Sequence, residues 1–257
     1  MKIRGRYQIL YLLGEGKFGK VFKAMELVST KVVAIKMEYT KPGLLKHETT
    51  ILNYLNKKKC QNVPNIFWFG IESNVPCLII SFYPCTFMEY LKKSSFHHGK
   101  EKKVLQSMLK IIENVHDLGV LHRDIKPDNF MLNEKNQLIL IDFGLSIFIE
   151  DRNNVLKKKD MEKDSSITGN ILFASPKVHE MYHSRKIDDL ISIAYIGLYM
   201  SLHLNLPWRP IDGKESTINY LFLKGKDSLQ LNRNADTNQV IDFIFELYED
   251  KLTYLYN

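Results

Sequence analysis

Apolar and polar residues alternate with a period of about two along the first 40 residues, which is typical of β-strands. The runs "YQILYLL", "KVFKAMEL" and "VVAIKMEY" are separated by the turn-forming stretches "GEGKFG" and "VSTK". Two more short apolar runs, "NIFWFG" and "CLIISF", follow later. Between these two sets, apolar residues at helical spacing predict a helix from Leu44 to Asn56, with Glu48 on its polar side. The pattern predicts a small antiparallel sheet that carries one helix.

The period changes to that of helices beyond Pro84. Five apolar residues share one face of the next predicted helix: Val104, Met108, Ile111, Val115 and Leu118. Gly119 follows as a C-terminal cap. The most apolar run, "ISIAYIGLYMSLHL" from Ile191, is too short to cross a bilayer and predicts a buried core helix within 187–204. A last helix is expected near 237–255. The predicted fold is α+β, with a sheet-rich first part joined near residues 81–86 to a larger, mainly helical part.

Composition and charge narrow the class of protein. The 257 residues are 45% hydrophobic and 25% charged, which is ordinary for a globular domain. The formal net charge of +7 fits acidic partners and fits equally a generally basic surface. No aromatic residues interleave the lysine clusters as a nucleic-acid site requires. Three unpaired cysteines and the lack of a signal sequence predict a reducing compartment, the cytoplasm or nucleus, and no membrane anchor is expected.

The stretch "GEGKFG" places Gly14, Gly16 and Gly19 in a spacing that brings backbone amides close to phosphate. The same three glycines are also compatible with a simple tight hairpin. A dinucleotide-binding loop is a further alternative, because Glu38 lies near the position of the acid that such folds need. A phosphate loop of the GxxxxGK type would need Ser or Thr where Val21 stands. Both alternatives require a helix after the loop, and the sequence predicts a strand there.

Lys36 ends the apolar alternation of "VVAIK". An isolated strand lysine is most often a solvated surface residue. Here the predicted helix can carry Glu48 back over the sheet, so that a strand lysine pairs with a helix glutamate. Such a pair is a positioned cation for phosphate oxygens, and the residues leave the two interpretations equally open.

The stretch "HRDIKPDNF" precedes a predicted hairpin in which "FML" and "LILI" flank the turn "NEKNQ". A turn centred between Lys135 and Asn136 would place Asn129 opposite Asp142. An amide oxygen and a carboxylate at the open end of one hairpin suit Mg²⁺, which takes few protein ligands and completes its shell with water and phosphate. Asp124 lies in the same loop, within reach of a substrate hydroxyl. These sites together favour magnesium with a nucleoside triphosphate.

The order of "GEGKFGKV", "VAIK", Glu48, "HRDIKPDN" and "DFG" resembles the signature set of eukaryotic protein kinases. The resemblance implies a bilobal fold with an N-lobe over about 1–82, a hinge over 81–86 and a C-lobe over 86–257, all one kinase domain. It implies ATP and Mg²⁺ as cofactors and protein substrates as partners. A monomer is expected.

Residue roles follow from the same resemblance. Asp124 would accept or orient the substrate hydroxyl proton, and Lys126 would steady the transferring phosphoryl group. Asn129 and Asp142 would bind magnesium. The implied ATP-binding residues are Leu13, Gly14, Glu15, Gly16, Lys17, Phe18, Gly19, Val21, Ala34, Lys36, Glu48, Ile80, Ser81 and Tyr83. Of these, Lys36 would hold the α- and β-phosphates, Ile80 would gate the adenine pocket, and Ser81 and Tyr83 would belong to the hinge.

Further stretches resemble the casein kinase 1 family, namely "HRDIKPDNFML", "TGNILFAS", "DDLISIAY" and "LPW". In that family Asp189 would steady the catalytic loop. Two positions depart from its pattern: Leu172 stands where a basic anion-pocket residue is expected, and Asn205 stands where glycine is expected. These departures predict weak dependence on a phosphorylated, primed substrate.

The sequence therefore predicts a serine/threonine protein kinase that transfers the ATP γ-phosphate to protein hydroxyls, with acidic substrates as one expectation. The alternative is a pseudokinase, a kinase-shaped scaffold that binds nucleotide without phosphotransfer. A pseudokinase would normally lack the lysine, the catalytic aspartate or a magnesium ligand, and all are present. The segment after Trp208, shorter than the family's usual helical lobe, keeps that alternative open.

Overall fold

The computed structural model describes residues 1–16, 19–40, 43–93, 101–149 and 167–206. Contacts divide the chain into two compact units. Unit one comprises Met1–Phe87 and Asn129–Phe148, and unit two comprises Met88–Asp128 and Ile149–Asn257. The predicted helix near 237–255 lies outside the described residues.

Unit one is built on an antiparallel sheet. Its six strands are β1 (Lys2–Ile3), β2 (Tyr7–Glu15), β3 (Gly19–Glu26), β4 (Val32–Glu38), β5 (Ile66–Glu72) and β6 (Val75–Ser81). Their order in the sheet is β1-β2-β3-β4-β6-β5, with every neighbouring pair antiparallel. Helix α1 (Leu44–Lys57) follows β4 and contacts β4, β5 and β6. The predicted sheet with one helix is confirmed.

The side chains of β4 alternate between two faces with different neighbours, because successive side chains of a strand point to opposite sides. Val33, Ile35 and Met37 face the buried core of the sheet, where they join five other buried residues. Those five are Ile3, Tyr7, Ala24, Cys77 and Ile79. The intervening residues Lys36 and Glu38 therefore lie on the opposite face, where both contact α1 or its first turn.

A second, three-stranded sheet of unit one contains the predicted hairpin. Its strands are β7 (Cys85–Thr86), β9 (Phe130–Leu132) and β10 (Leu138–Leu140), in the order β10-β9-β7. After β10 come a short 3-10 helix, Phe143–Leu145, and β11 (Ile147–Phe148). The hairpin exists where the sequence predicts it.

The predicted register of this hairpin is wrong by one residue. Leu140 pairs with Phe130, and the Ile141 amide donates to the carbonyl of Asn129 at 2.9 Å, so that Asn129 is opposite Ile141 and not Asp142. The loop that causes this has three residues, 134–136, of which Asn136 adopts a left-handed backbone with φ 56°. Such three-residue loops with a left-handed last residue are a common hairpin form, and they centre the turn on a residue rather than on a bond.

The described part of unit two is mainly helical. Its described helices are α2 (Phe87–Lys93), which begins at the boundary with unit one, α3 (Glu101–Asp117), α4 (Pro176–His179) and α5 (Lys186–Ser201), with a short strand β8 (Val120–Leu121). Helix α3 buries Leu105, Met108, Ile112 and Val115, and it contacts α5, which is buried along much of its length. The two helices predicted in this unit before residue 204 are confirmed. Within the described ranges, none of the helices combines the length and apolar character that crossing a membrane would need.

Candidate active site

Lys36 is the centre of a charged cluster in unit one. Its Nζ atom lies 2.6 Å from Oε1 of Glu48 on α1 and 3.2 Å from Oδ1 of Asp142. The side chains of Lys36 and Glu48 are 14% and 4% exposed, whereas that of Asp142 is 46% exposed. The predicted pairing of the strand lysine with the helix glutamate is confirmed, and Asp142, predicted as a magnesium ligand, lies beside the same lysine.

The charge of Lys36 is fixed by its neighbours. Burial alone would lower the pKa of the lysine, but the carboxylates of Asp142 and Glu48 outweigh this effect and raise the pKa above its ordinary value. The amine therefore stays protonated across the physiological range. A buried, permanently charged ammonium group beside an exposed carboxylate can bind phosphate oxygens.

Asp142 combines exposure with an unusual backbone. Its φ of 66° and ψ of 72° are left-handed, and Phe143 next to it is fully buried, so the chain changes direction sharply here. Among the described residues, no group of three or more His, Cys, Asp or Glu side chains could hold a metal ion. A cation bound at Asp142 would thus take most of its ligands from nucleotide and water, which is how Mg²⁺ is usually held, and the residues present fit that ion.

Asn129, the second predicted magnesium ligand, ends a 3-10 helix over Pro127–Asn129 and is buried. The Ile141 amide fixes its backbone, one residue from Asp142. Neither Asn129 nor Asp142 has regular strand geometry. The sequence prediction places the two side chains together by strand alternation, and this alternation therefore does not determine their directions.

The sheet face that carries Lys36 gathers the other predicted nucleotide-binding residues of β3, β4 and β6. Val21 is opposite Lys36, and Ala34 is opposite Ile80. Directly opposed residues share a face, so these small and branched side chains form an apolar surface beside the lysine. Ala34 and Ile80 are buried.

The remaining predicted nucleotide-binding residues lie at the ends of these strands. In β2, Leu13 is exposed, and the exposed Glu15 pairs with Lys20 at 3.3 Å. At the end of β6, the Ser81 amide donates to the backbone carbonyl oxygen of Asn65 at 3.0 Å. Two residues further on, burial raises the pKa of the Tyr83 hydroxyl. Residues 17 and 18, also predicted to bind ATP, lie outside the described residues.

The three glycines of "GEGKFG" have two different environments. A Cβ atom built on Gly14 or Gly16 meets no atom within 4 Å, so the loop leaves open space beside its backbone. A Cβ on Gly19 would lie 2.1 Å from the carbonyl oxygen of Met37 in the adjacent strand. Gly19 is therefore needed for the packing of β3 against β4, while Gly14 and Gly16 are free to face a ligand.

The catalytic-loop candidates lie in unit two. Nζ of Lys126 is 2.6 Å from Oδ2 of Asp124, and Asp124 is buried. Asp189 of α5 accepts backbone hydrogen bonds from His122 and Arg123, both at 2.9 Å. Arg123 has a left-handed backbone with φ 67°, so its amide is held in an uncommon conformation. Asp189 thus steadies the loop as the resemblance implied.

Asp189 is itself buried against helix α3. Its Oδ2 atom lies 2.9 Å from Nε2 of His116. Burial would raise the pKa of the Asp189 carboxyl, but the hydrogen bonds from His116 and from the amide of His122 outweigh it and hold the pKa below the ordinary value. The aspartate is therefore ionised in the folded protein.

The segment before α4 approaches the catalytic loop closely. Gly169 has φ 88°, and a Cβ atom there would lie 2.3 Å from the carbonyl oxygen of Arg123. Nearby, the amide of Leu172, the residue that departs from the casein kinase 1 pattern, donates to Oδ1 of Asn170 at 2.9 Å. Only glycine allows this approach to the loop.

A family model described as a protein kinase domain matches residues 7–252. This chain belongs to the protein kinase family. The kinase domain has the expected α+β fold, and membership implies ATP, commonly with Mg²⁺, and protein substrates. The dinucleotide-loop and phosphate-loop alternatives are wrong, because the glycine stretch is followed by strand β3 and not by a helix.

Sequence reasoning missed the part that Glu38 plays in this kinase domain. Its buried carboxylate accepts hydrogen bonds from the amides of Gly43, Leu44 and Leu45, where α1 begins. From the sequence, Glu38 is only a candidate for the acid of a dinucleotide-binding fold. The available signal was the lack of Ser, Thr, Asp or Asn before Leu44, which leaves the helix without a capping residue of its own.

A second missed contact joins α1 to the chain after Asp142. Nε2 of His47 donates to the carbonyl oxygen of Ser146 at 2.6 Å. His47 precedes Glu48 directly, so the helix that supplies the partner of Lys36 is also tied to the segment that follows Asp142. No pattern in the sequence marks this bond, because its acceptor is a backbone atom.

Proposed function

We propose that this protein is an active serine/threonine protein kinase of the casein kinase 1 type, which transfers the γ-phosphate of ATP to protein hydroxyl groups. The observation that supports this proposal most directly is the Lys36 ammonium group, held between the buried Glu48 and the exposed Asp142. A scaffold that binds no nucleotide has no need of this arrangement. A pseudokinase that binds nucleotide would share it, and the transfer assay below separates that alternative from an active kinase.

In unit one, Lys36 binds the α- and β-phosphates of ATP and Glu48 keeps it in place. The open backbone at Gly14 and Gly16 accepts the phosphate chain, and the apolar face at Val21, Ala34 and Ile80 accepts the adenine ring. Phosphoryl transfer depends mainly on positioning and on the neutralisation of charge. A fixed cation on a rigid strand meets both needs.

In unit two, Asp124 accepts or orients the proton of the substrate hydroxyl. Lys126, 2.6 Å away, balances the charge of this carboxylate and is available to the transferring phosphoryl group. Asp189 keeps the loop backbone at His122 and Arg123 in place. A lysine two residues after the catalytic aspartate resembles the serine/threonine branch, which favours aliphatic hydroxyl acceptors.

Asn129 and Asp142 would hold the magnesium ion of the nucleotide. When bound, the ion would supply positive charge that offsets the negative charge developing during transfer. The protein supplies an exposed carboxylate on a sharply turned backbone at Asp142, and the Ile141 amide fixes the main chain of Asn129 beside it.

The first test is phosphate transfer from ATP to casein in the presence of magnesium. We expect transfer by the wild-type protein and a loss of at least about 100-fold in Asp142→Ala, since groups that stabilise transition-state charge contribute on that order. The control is Glu134→Ala, which removes an exposed carboxylate from the turn of the same hairpin and should retain activity. Nucleotide binding without transfer to any peptide of a broad library would contradict the proposal and identify a pseudokinase.

The second test concerns substrate choice. Leu172 and Asn205 occupy positions where the casein kinase 1 pattern expects a basic residue and a glycine, so we expect only weak preference for a primed substrate. Matched peptides with and without a phosphoserine near the acceptor would be compared by kcat/KM, and the ratio should stay within about threefold. A ratio above about 100 would show that other basic residues bind the priming phosphate, and the expectation would be wrong.

A further inference from the structure

Glu38 makes a concentrated set of contacts at the start of α1. Its Oε2 atom lies 3.0 Å from the amide nitrogen of Gly43, and its Oε1 atom lies 2.9 Å and 3.2 Å from those of Leu44 and Leu45. The residue is 6% exposed. A buried carboxylate that accepts three amide hydrogen bonds is a strong, charge-assisted attachment.

The described residues of helix α1 itself provide no side-chain cap at its start. Its N-cap residue is Gly43, which makes no side-chain hydrogen bond, and its first turn contains no acidic residue. Helix amides without partners within the helix must be satisfied from elsewhere. Lys46, an exposed residue of the first turn, has the wrong charge for the positive end of the helix. Glu38 therefore supplies what the helix sequence lacks.

Glu38 lies two residues after Lys36 in β4, so both side chains leave the same face of the strand. Glu48 lies about one helical turn after Leu44, whose amide Glu38 binds. One strand thus holds the lysine directly and, through Glu38, holds the beginning of the helix that supplies the partner of the lysine. The contact at 2.6 Å between Lys36 and Glu48 joins the two elements that β4 holds in this way.

We infer that Glu38 is a positioning residue for phosphotransfer, which fixes α1 against β4 so that Glu48 stays on Lys36. Its effect on turnover rests on the proposed kinase function. Its effect on the position of Glu48 does not, and can be measured without nucleotide.

The test variant is Glu38→Gln, which keeps the size of the side chain but loses its charge and one acceptor oxygen. The matched control is Glu26→Gln. Glu26 is a buried glutamate of the neighbouring strand β3, 7% exposed, whose carboxylate contacts Arg6 and Ser29 and not α1. Both variants lose a buried charge from the same sheet, so they differ chiefly in the attachment of the helix.

Two readouts report on the position of Glu48. The first is the rate at which an amine-acylating reagent modifies Lys36 in the nucleotide-free protein at one fixed pH, read by mass spectrometry. We expect it to rise several-fold in Glu38→Gln, because the amine is released from Glu48, and to stay unchanged in Glu26→Gln. The second readout is kcat of Glu38→Gln, which should fall about tenfold. This is the rate ratio that corresponds to the free energy of one lost helix cap. The KM for ATP should change less.

A second substitution separates positioning from simple helix stability. Lys46→Glu places an acid in the first turn and stabilises the start of the helix without linking it to β4. In Glu38→Gln/Lys46→Glu we expect hydrogen-exchange protection of α1 and the melting temperature to recover, while Lys36 stays reactive and kcat stays low. Lys46→Glu alone should behave like the wild type.

Recovery of low Lys36 reactivity and of kcat in the double variant would overturn the inference, since Glu38 would then act only as a helix cap. Equal Lys36 reactivity in Glu38→Gln and Glu26→Gln would also overturn it. If Glu38→Gln fails to fold, Glu38→Asp replaces it, because the shorter carboxylate keeps the charge and should give an intermediate Lys36 reactivity. An absence of phosphotransfer by the wild-type protein would reject the proposed function, while the labelling results would still decide the position of Glu48.

Discussion

The charged clusters of the two units hold their candidate catalytic groups in opposite ways. In unit one, the side chain of Lys36 is held by two other side chains, and one of these, Asp142, is 46% exposed. In unit two, the buried carboxylate of Asp189 holds the backbone amides of His122 and Arg123, and Asp124, the proposed catalytic residue, follows them in the chain. The first cluster consists of ion pairs that a ligand can enter, and the second is a rigid support.

This difference predicts whether a substitution in each cluster lowers mainly the activity or mainly the stability of the protein. The ion pair of Lys36 with Asp142 contributes little to folding, because water competes for the 46% exposed carboxylate. The buried Glu48 needs a positive partner, so only a substitution that keeps the charge of Lys36 should affect chemistry and spare the fold. At Asp189, a buried carboxylate satisfies several amides, and its removal should lower the stability of the fold because each amide would lose a partner in the interior.

The largest expected effect on activity comes from Lys36→Arg. The guanidinium group keeps the charge that Glu48 and Asp142 need but cannot place it at the same point. We expect kcat/KM to fall by about 100- to 1,000-fold, with the free energy of unfolding changed by less than about 1 kcal/mol. Kinase assays and urea unfolding would measure the two quantities, and a large loss of stability would contradict the contrast between the clusters.

Asp189→Ala should have the largest effect on stability. It leaves two backbone amides and His116 without their acceptor in a buried region, which costs about 3 kcal/mol. Asp189→Asn keeps one oxygen and should lose about half as much. The midpoint of urea unfolding would measure both variants, and an unchanged midpoint for Asp189→Ala would show that the loop does not depend on this residue.

Gly169→Ala should cause an intermediate loss of stability, because it strains the backbone. The added methyl group would lie 2.3 Å from the Arg123 carbonyl, and φ of 88° is strained for any residue with a side chain. Together these should cost about 2 kcal/mol and lower kcat by displacing Asp124. Gly5→Ala is the control, because Gly5 has φ 64° but no atom within 4 Å of its built Cβ, so it reports the strain alone. Equal losses in the two variants would exclude a role for the close approach.

The smallest expected effect is a change in acid stability. The pKa of Asp189 is lowered in the folded protein, so its contribution to stability is complete above the unfolded pKa of about 3.9 and is lost as the pH falls through the folded value. Between pH 4 and lower pH, the free energy of unfolding should therefore decrease less steeply in Asp189→Asn than in the wild type. Urea titrations at several acidic pH values would show the difference, and parallel curves would contradict it.

Much of the fold could be predicted because burial imposes a period on the sequence. The sheet of unit one, α1, α3 and α5 all follow from apolar spacing. The register of the β9–β10 hairpin could not be predicted, because it depends on the left-handed backbone of Asn136, and "NEKNQ" permits more than one turn. Short elements such as α4 also escaped prediction, because four residues contain little periodic signal.

The contacts of the candidate site also fall into those that the sequence predicts and those that it does not. Lys36, Glu48 and Asp142 could be predicted to meet because charge, spacing and motif agree, and the structure brings them together. The contacts made by Glu38 and His47 could not be predicted, because their partners are backbone atoms, which are the same in every residue. Side chains that bind other side chains leave a pairwise pattern in a sequence, whereas side chains that bind the main chain leave almost none.

The tight contact at Gly19 has a consequence for how a glycine motif is interpreted. Its missing side chain makes room for the Met37 carbonyl of the neighbouring strand, not for a nucleotide. A chain that had given up ATP binding would still need this glycine to keep its sheet, whereas Gly14 and Gly16 would be free to vary. Loss of the first two glycines with retention of the third would thus mark a relative that keeps the architecture and has abandoned the ligand.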